Sequence, residues 1–253
     1  MTTGFDDRFF EMLADAEERS FWFRARTKLI LYALQRHERQ ATSFLEVGCG
    51  NGLILAAVAA KCPQWRVAGT DAFRGGLDRA QQRTPRATLL QIEASAIPFT
   101  QEFDAAGAFD VLEHIDDDVG AVRGLHRALA PGGILLVTVP QHRWLWSGAD
   151  DFAHHRRRYT RRELVTKLRD AGFTIELATS FVSLLLPAML GARIGKKKKA
   201  AVAELRLPRF INAIFEAIMT IERAMIRLGI RFPFGGSLLV VARRAAQEYR
   251  TPR

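Results

Sequence analysis

The nine residues from Phe44 to Gly52, FLEVGCGNG, constrain this chain more than any other stretch. An apolar run rich in β-formers passes an acid and ends in a turn with glycines at Gly48, Gly50 and Gly52, after which Leu53 opens an alanine-rich helical pattern. The spacing predicts strand, tight loop and helix. Glycine accepts positive φ and carries no Cβ, so a ligand can lie against the backbone while the helix start offers free N–H groups. Such a loop suits a nucleoside-like ligand.

The glycines do not follow the dinucleotide fingerprint G-x-G-x-x-G, which rests a pyrophosphate on the helix N-terminus. Leu53 stands where the third glycine would be, and Glu46 lies just ahead of the turn. A carboxylate there would repel a pyrophosphate. It would attract the ammonium and sulfonium of S-adenosylmethionine, because two unit charges about 4 Å apart gain roughly 4 kcal/mol at an effective dielectric near 20. The segment resembles the first motif of class I S-adenosylmethionine-dependent methyltransferases, which implies that Glu46, Gly48, Cys49, Gly50 and Gly52 line a cofactor site.

Further stretches extend the resemblance. Asp71 follows a second strand, Trp65 to Thr70, at the position where Rossmann-like folds bind ribose hydroxyls. With Ala72 it is assigned to the cofactor, and it could equally cap the segment beginning at Arg74. After a third strand at Leu89 to Ile92, the loop from Glu93 and Ala94 to Phe99 is similar to the family's acid-Ala-x-x-Leu-Pro-Phe, whose acid binds the adenine amino group in relatives. Glu93 replaces the more usual Asp. A fourth strand, Phe103 to Ala108, leads through Phe109 into Asp110 and the VLEHI run from Val111 to Ile115, with Ala108 and Phe109 expected beside the cofactor. Ubiquinone-pathway O-methyltransferases, which this stretch resembles, bind a divalent cation through an acid-x-x-Glu-His pattern, and Asp110, Glu113 and His114 match it. Glu113 and His114 seating the next helix on the sheet is the stronger reading, so no metal is assigned.

At 253 residues and 48% hydrophobic, the chain suits one large domain with elaborations. A continuous apolar strand at Ile134 to Val139, a helix from Arg161 to Ala171, and strands at Thr174 to Ala178 and Ser237 to Ala242 complete the pattern. The expected fold is α/β, a doubly wound, seven-stranded, Rossmann-like sheet with an antiparallel last strand and a helical apolar insertion between strands six and seven. We divide it into an N-terminal helical lid (1–40), a core (41–180 and 236–253) and the insertion (181–235). Two helices broken near Ser20 form the lid, from which Arg26 would meet the cofactor carboxylate. Cys49 and Cys62 read as unpaired thiols of a reducing compartment.

Between the fifth strand and the following helix, Gln141 to Trp146 and Asp150 to Thr160 should wall the acceptor, since open α/β sheets bind ligands beyond the carboxyl ends of their strands. For a hydroxyl acceptor His155 is the expected base, with His114 and His142 behind it. Metal ligation by the adjacent His154 and His155 is disfavoured by their opposed directions.

Phe181 to Phe234 exceeds what a connection needs. Lys196 to Lys199 follow an apolar segment, and Phe210, Ile211, Ile214, Phe215, Ile218, Met219, Ile221, Met225 and Leu228 then form a helical stripe with Glu216, Glu222, Arg223 and Arg227 off it. The uncharged run from Leu177 to Ala192 is shorter than the roughly 20 residues of a membrane span and contains Pro187. It reads as an interfacial or re-entrant segment, because an apolar face beside lysines gains about 1 kcal/mol per cation near an anionic leaflet. Packing on the protein's own core or a twin subunit is the alternative. Lys+Arg exceed Asp+Glu by 37 to 27, yet the lysine run lacks the aromatic partners of a nucleic-acid site. The N-terminus lacks the cationic start and apolar run of a signal peptide, so a cytoplasmic protein, peripheral on the membrane's inner face, is expected. The resulting reading is O-methylation of a hydrophobic or lipid-linked small molecule. A non-catalytic module that binds S-adenosylmethionine and a nicotinamide-dependent oxidoreductase are the alternatives.

Overall fold

The computed structural model describes residues 7–193 and 207–246. A seven-stranded sheet runs in the order β3-β2-β1-β4-β5-β7-β6. Strands β1 (Ser43–Val47), β2 (Arg66–Asp71), β3 (Thr88–Gln91), β4 (Phe103–Phe109) and β5 (Leu129–Pro140) are parallel. The last strand, β7 (Ser237–Arg244), lies antiparallel between β5 and β6 (Phe173–Phe181). The expected fold class is the one formed.

Because side chains alternate along a strand, an apolar run buries both faces of the sheet at once. Phe44, Ile134 and Leu136 join one core with α2 (Phe21–His37) and α3 (Leu53–Lys61), while Leu45, Leu135 and Val137 join the other with α5 (Asp118–Ala128) and α7 (Arg161–Asp170). The register levels the carboxyl ends of the central strands: Val47 lies beside both Thr70 and Ala108, and Phe109 beside Thr138. Everything of chemical interest gathers at that edge.

Most strand ends shift by a residue or two from the sequence pattern, and two boundaries differ more. The fifth strand begins at Leu129 rather than Ile134, because the backbone of Pro131 to Gly133 is carried through a register shift opposite Phe103 and Ala105. The sixth extends to Phe181, since β7 pairs with it as far as Ser237. Leu177 to Phe181 are therefore sheet, and the run to Ala192 is not one interfacial segment. Only α8 (Leu186–Arg193) follows it, with Pro187 in its first turn, where a missing N–H costs nothing.

The N-terminal pair forms as expected. Helix α1 (Asp7–Arg19) ends at Ser20, whose Oγ accepts the Trp22 N–H at 3.3 Å to start α2. The next described helix of the insertion, which we number α9 (Arg209–Arg227), packs along α2: Phe215 meets Phe21 at 5.2 Å, and Glu216 takes Arg24 and Lys28 at 2.7 and 2.9 Å. Glu222 is not on the solvent side as its position off the stripe suggests. It is fully buried, and its Oε2 accepts the N–H groups of Ser183 and Leu184, each at 2.8 Å. Lys196 to Lys199 lie outside the described residues.

Candidate functional site

The glycine turn is defined by its backbone. Gly48, Gly50 and Gly52 have φ of 69°, 50° and 75°, values an L side chain rarely adopts. Gly48 and Cys49 donate to the Thr70 carbonyl at 2.7 and 2.9 Å, and Gly50 donates to Asp71 Oδ2 at 2.8 Å. Asp71 Oδ1 also takes the Phe73 N–H at 2.9 Å, so this carboxylate ties the turn to the tip of β2. Phe73, not Asp71, occupies the cap of α4 (Arg74–Arg83). Burial raises the Asp71 pKa against these N–H bonds. A Cβ on Gly52 would fall 2.8 Å from Ala80 Cβ, whereas one on Gly50 meets nothing within 4 Å. Gly52 is a packing glycine, and Gly50 faces open space.

Parallel register sets Asp71 beside Gln91, and the Asp71 carbonyl accepts the Ile92 N–H at 3.0 Å. Ala72, Glu93 and Ala94 are thereby brought to the same edge as the turn. Ala108 and Phe109 end β4 next to it.

Glu46 is buried inside this arrangement, and its Oε2 has no hydrogen-bond partner. Burial lifts its pKa well above the usual range, opposed by the Arg26 guanidinium. Arg26 itself is buried, ion-paired with Asp110 and set 4.5 Å over the Trp22 ring. Its field also reaches Glu17 and Glu113, whose pKa values burial likewise raises. Glu17 has Arg83 as its own partner and Arg26 is paired with Asp110, so Glu46 is a buried acid without a direct cationic partner, a setting that suits a cationic ligand. The Glu46 Oε2 is left without a partner, and the side of Gly50 is open. Helix α1 crosses this site, with Asn51 Nδ2 donating to the Phe10 carbonyl at 3.0 Å and Arg83 meeting Glu17 at 2.5 Å.

The loop after β5 is knitted onto the segment after β4. The Arg156 N–H donates to the Glu113 carbonyl at 2.8 Å, and the Tyr159 hydroxyl oxygen lies 3.1 Å from the Leu112 carbonyl. This brings His155 onto Glu113 and His114: its ring lies 4.8 Å from that of His114, and its Nε2 lies 3.9 Å from Glu113 Oε1. On its other side His155 Nδ1 is 2.9 Å from Asp150 Oδ1. Arg158 holds Asp150 with two nitrogens, at 2.6 and 3.0 Å. Burial would raise the Asp150 pKa, but hydrogen bonds from His155 and Arg158 outweigh it and keep the carboxyl ionised. Burial, helped by His155, pushes the His114 pKa down to about 3.

His142 has different neighbours, stacked between Trp144 at 5.1 Å and Phe234 at 5.6 Å. Asp110, His142 and His154 all have positive φ, so backbone strain concentrates along this wall. The ligand atoms of Glu113, His114 and His155 lie within 4.8 Å of one another, while Asp110 is engaged by Arg26. Both Glu113 carboxylate oxygens are buried without a hydrogen bond. Asp150 lies in the stretch expected to wall the acceptor, but its local pattern is only the capping box it closes with Ser147, and the fold alone shows that it backs His155.

A methyltransferase-domain family model matches residues 16–178. A probable S-adenosylmethionine-dependent methyltransferase of Mycolicibacterium smegmatis is 30% identical over 165 residues, 63% of this chain and 62% of the relative. Another, from Mycobacterium tuberculosis, is 26% identical over 91% of this chain and 85% of its own length. The chain also superposes on phosphoethanolamine N-methyltransferase 2 of Haemonchus contortus in complex with S-adenosyl-L-methionine, with a TM-score of 0.65 at 19% identity, over 96% of this chain and 58% of that one. The chain belongs to the class I S-adenosylmethionine-dependent methyltransferases.

Proposed function

We propose that this methyltransferase acts on a hydroxyl oxygen of a hydrophobic or lipid-linked small molecule, with His155 as general base. The observation that carries the base assignment is the 2.9 Å contact between Asp150 and His155 Nδ1. A carboxylate on Nδ1 fixes the tautomer that leaves Nε2 as acceptor. S-adenosylmethionine supplies a methyl group on a cationic sulfur. His155 Nε2 would take the proton of the acceptor hydroxyl as its oxygen is methylated. Alignment can lower the barrier by roughly 7 to 11 kcal/mol, and a placed base adds about 10²- to 10⁴-fold. We assign the cofactor's cationic end to Glu46, its ribose to Asp71, its adenine to Glu93, and its carboxylate to Arg26 under the α1–α2 lid.

The apolar acceptor is inferred from exposed side chains. Phe210, Ile214, Ile221, Leu228 and Phe234 are exposed along the insertion, and Phe234 stacks on His142 of the acceptor wall. These exposed apolar side chains support an apolar acceptor. Among the described residues no helix is long and apolar enough to cross a membrane, so we assign this surface to the interface of an anionic leaflet. Protein pelleting with anionic but not neutral liposomes at low salt supports that assignment; indifference to lipid composition counts against it.

The test of the chemistry is incubation with labelled S-adenosylmethionine and a membrane lipid extract. His155→Ala should lower label transfer by about 10²-fold or more with cofactor affinity unchanged; unaltered turnover removes His155 from the mechanism. The Glu113, His114 and His155 cluster favours one second reading, a divalent cation polarising the acceptor oxygen, with Asp150 orienting His155. Loss of transfer on dialysis against a chelator, restored by a divalent metal, would select that reading over a free base.

A further inference from the structure

On the sheet face that carries α5 and α7, a recess of about 710 Å³ opens between these helices and the loop ending at Thr160, with no glycine-turn residue in its lining. Six cationic side chains, Arg123, Arg143, Arg157, Arg158, Arg162 and Lys167, line it with only three acids, Asp118, Glu163 and Asp170. Two of those acids are already committed. Asp118 takes the Tyr159 hydroxyl at 2.5 Å, Arg157 at 3.1 Å and the Lys167 ammonium. Glu163 closes the capping box of α7 on Thr160 and takes Arg143 at 2.6 Å. Arg158 is spent on Asp150. Arg123 on α5 and Arg162 on α7 are exposed, and neither makes an ion pair or side-chain hydrogen bond among the described residues.

Concave walls of one sign focus the field, and a guanidinium presents a fork of N–H donors matched to a tetrahedral oxyanion. We propose that this recess binds a phosphate-type oxyanion, with Arg123 and Arg162 as its principal contacts and with Arg157 and Lys167, which share the single acid Asp118, adding positive potential beside them. The inference does not depend on the acceptor or the base assigned above. The same chemistry is offered by a free di- or polyphosphate and by the headgroup of a phosphorylated lipid.

The test is calorimetric titration of the intact protein with inorganic pyrophosphate at low ionic strength, repeated with the R123A/R162A double variant. Saturable binding is expected, weakened at least tenfold in the variant and again by 0.5 M salt, roughly three times the physiological ionic strength at which the screening length is about 8 Å. Absence of saturable heat, or equal affinity in the variant, overturns the proposal. S-adenosylmethionine affinity should be the same in both proteins, which certifies that the variant is folded. Titration with monomeric dihexanoyl phosphatidic acid distinguishes the sources. Competition with pyrophosphate, lost in the variant, supports a lipid headgroup; pyrophosphate binding without competition supports a soluble ligand.

Discussion

The glycine turn and helix α9 solve the problem of facing outward in opposite ways. At the turn the backbone makes the surface: three residues at positive φ, with N–H groups fixed on Thr70 and Asp71. In α9 the backbone is ordinary, and function depends on which side chains a neighbour covers. Phe215, Met219 and Ile226 pack inward while Phe210, Ile214 and Ile221 remain exposed, although all six are apolar. A site made by backbone is intolerant of a single added carbon. A surface made by side chains can be changed freely on one side and hardly at all on the other.

The largest effect should come from placing a methyl group on the turn. Gly52→Ala combines positive φ with a Cβ 2.9 Å from the Ala80 backbone, where nothing flexible can give way. Left-handed strain of about 1 to 2 kcal/mol and overpacking of about 1 to 3 kcal/mol predict a loss of roughly 2 to 5 kcal/mol in denaturant unfolding. Gly50→Ala should cost only the strain, since its Cβ meets nothing, yet should abolish detectable S-adenosylmethionine binding. If Gly50→Ala bound the cofactor normally, the turn would not be the cofactor's seat.

Next in size is the anchor of the insertion. Glu222→Ala leaves the part-buried N–H groups of Ser183 and Leu184 without their acceptor, at about 1 kcal/mol, the low end of the penalty for unpaired groups. Hydrogen exchange should rise in α9, with cofactor affinity unchanged. A parallel fall in that affinity would show that the two regions are energetically one.

How far each region could be read beforehand follows from the same contrast. Glycine spacing, the acid before it and Asp71 sit within one strand–turn–helix unit and the next strand, so their placement needs little tertiary information. The partners of His155 come from segments on either side of β5, and neither the Asp150 contact with His155 nor the pairing of Asp110 with Arg26 is written in any local pattern. Glu222 was misjudged for a related reason: helical period places it beside polar residues, and only the turn after β6 supplies the N–H groups that draw it inside. Leu177 to Phe181 were ambiguous because a short apolar run suits a buried strand as well as a helix.

A smaller effect concerns pH. Burial raises the folded-state pKa of Glu46 well above 4.5, so its contribution to stability is complete below the unfolded value and is lost as pH rises toward the folded one. Glu46→Gln should therefore flatten the alkaline decline in stability of the cofactor-free protein. Because a bound cation favours the ionised acid, S-adenosylmethionine affinity should rise with pH over that window and its binding should release protons, visible as a buffer-dependent enthalpy. The Gln variant should bind at least tenfold more weakly, about 1.4 kcal/mol, without that buffer dependence. An unchanged buffer dependence would assign the proton to another group.

The smallest expected change in stability lies on the uncovered side of α9. Phe210 is 73% exposed and Ile221 57% exposed, so each serine substitution removes little buried area and should alter unfolding free energy by about 0.5 kcal/mol or less. Liposome binding is the property at risk, because each side chain would bury in the headgroup region the apolar surface it now exposes. The Phe210→Ser, Ile221→Ser double variant should keep its melting temperature, its cofactor affinity and its activity on a detergent-dispersed lipid extract, yet lose sedimentation with anionic vesicles. Retained sedimentation would move the membrane contact elsewhere. A fall in melting temperature or a dissociated oligomer would mean instead that this face packs on another copy of the chain, and α9 would then be covered on both sides.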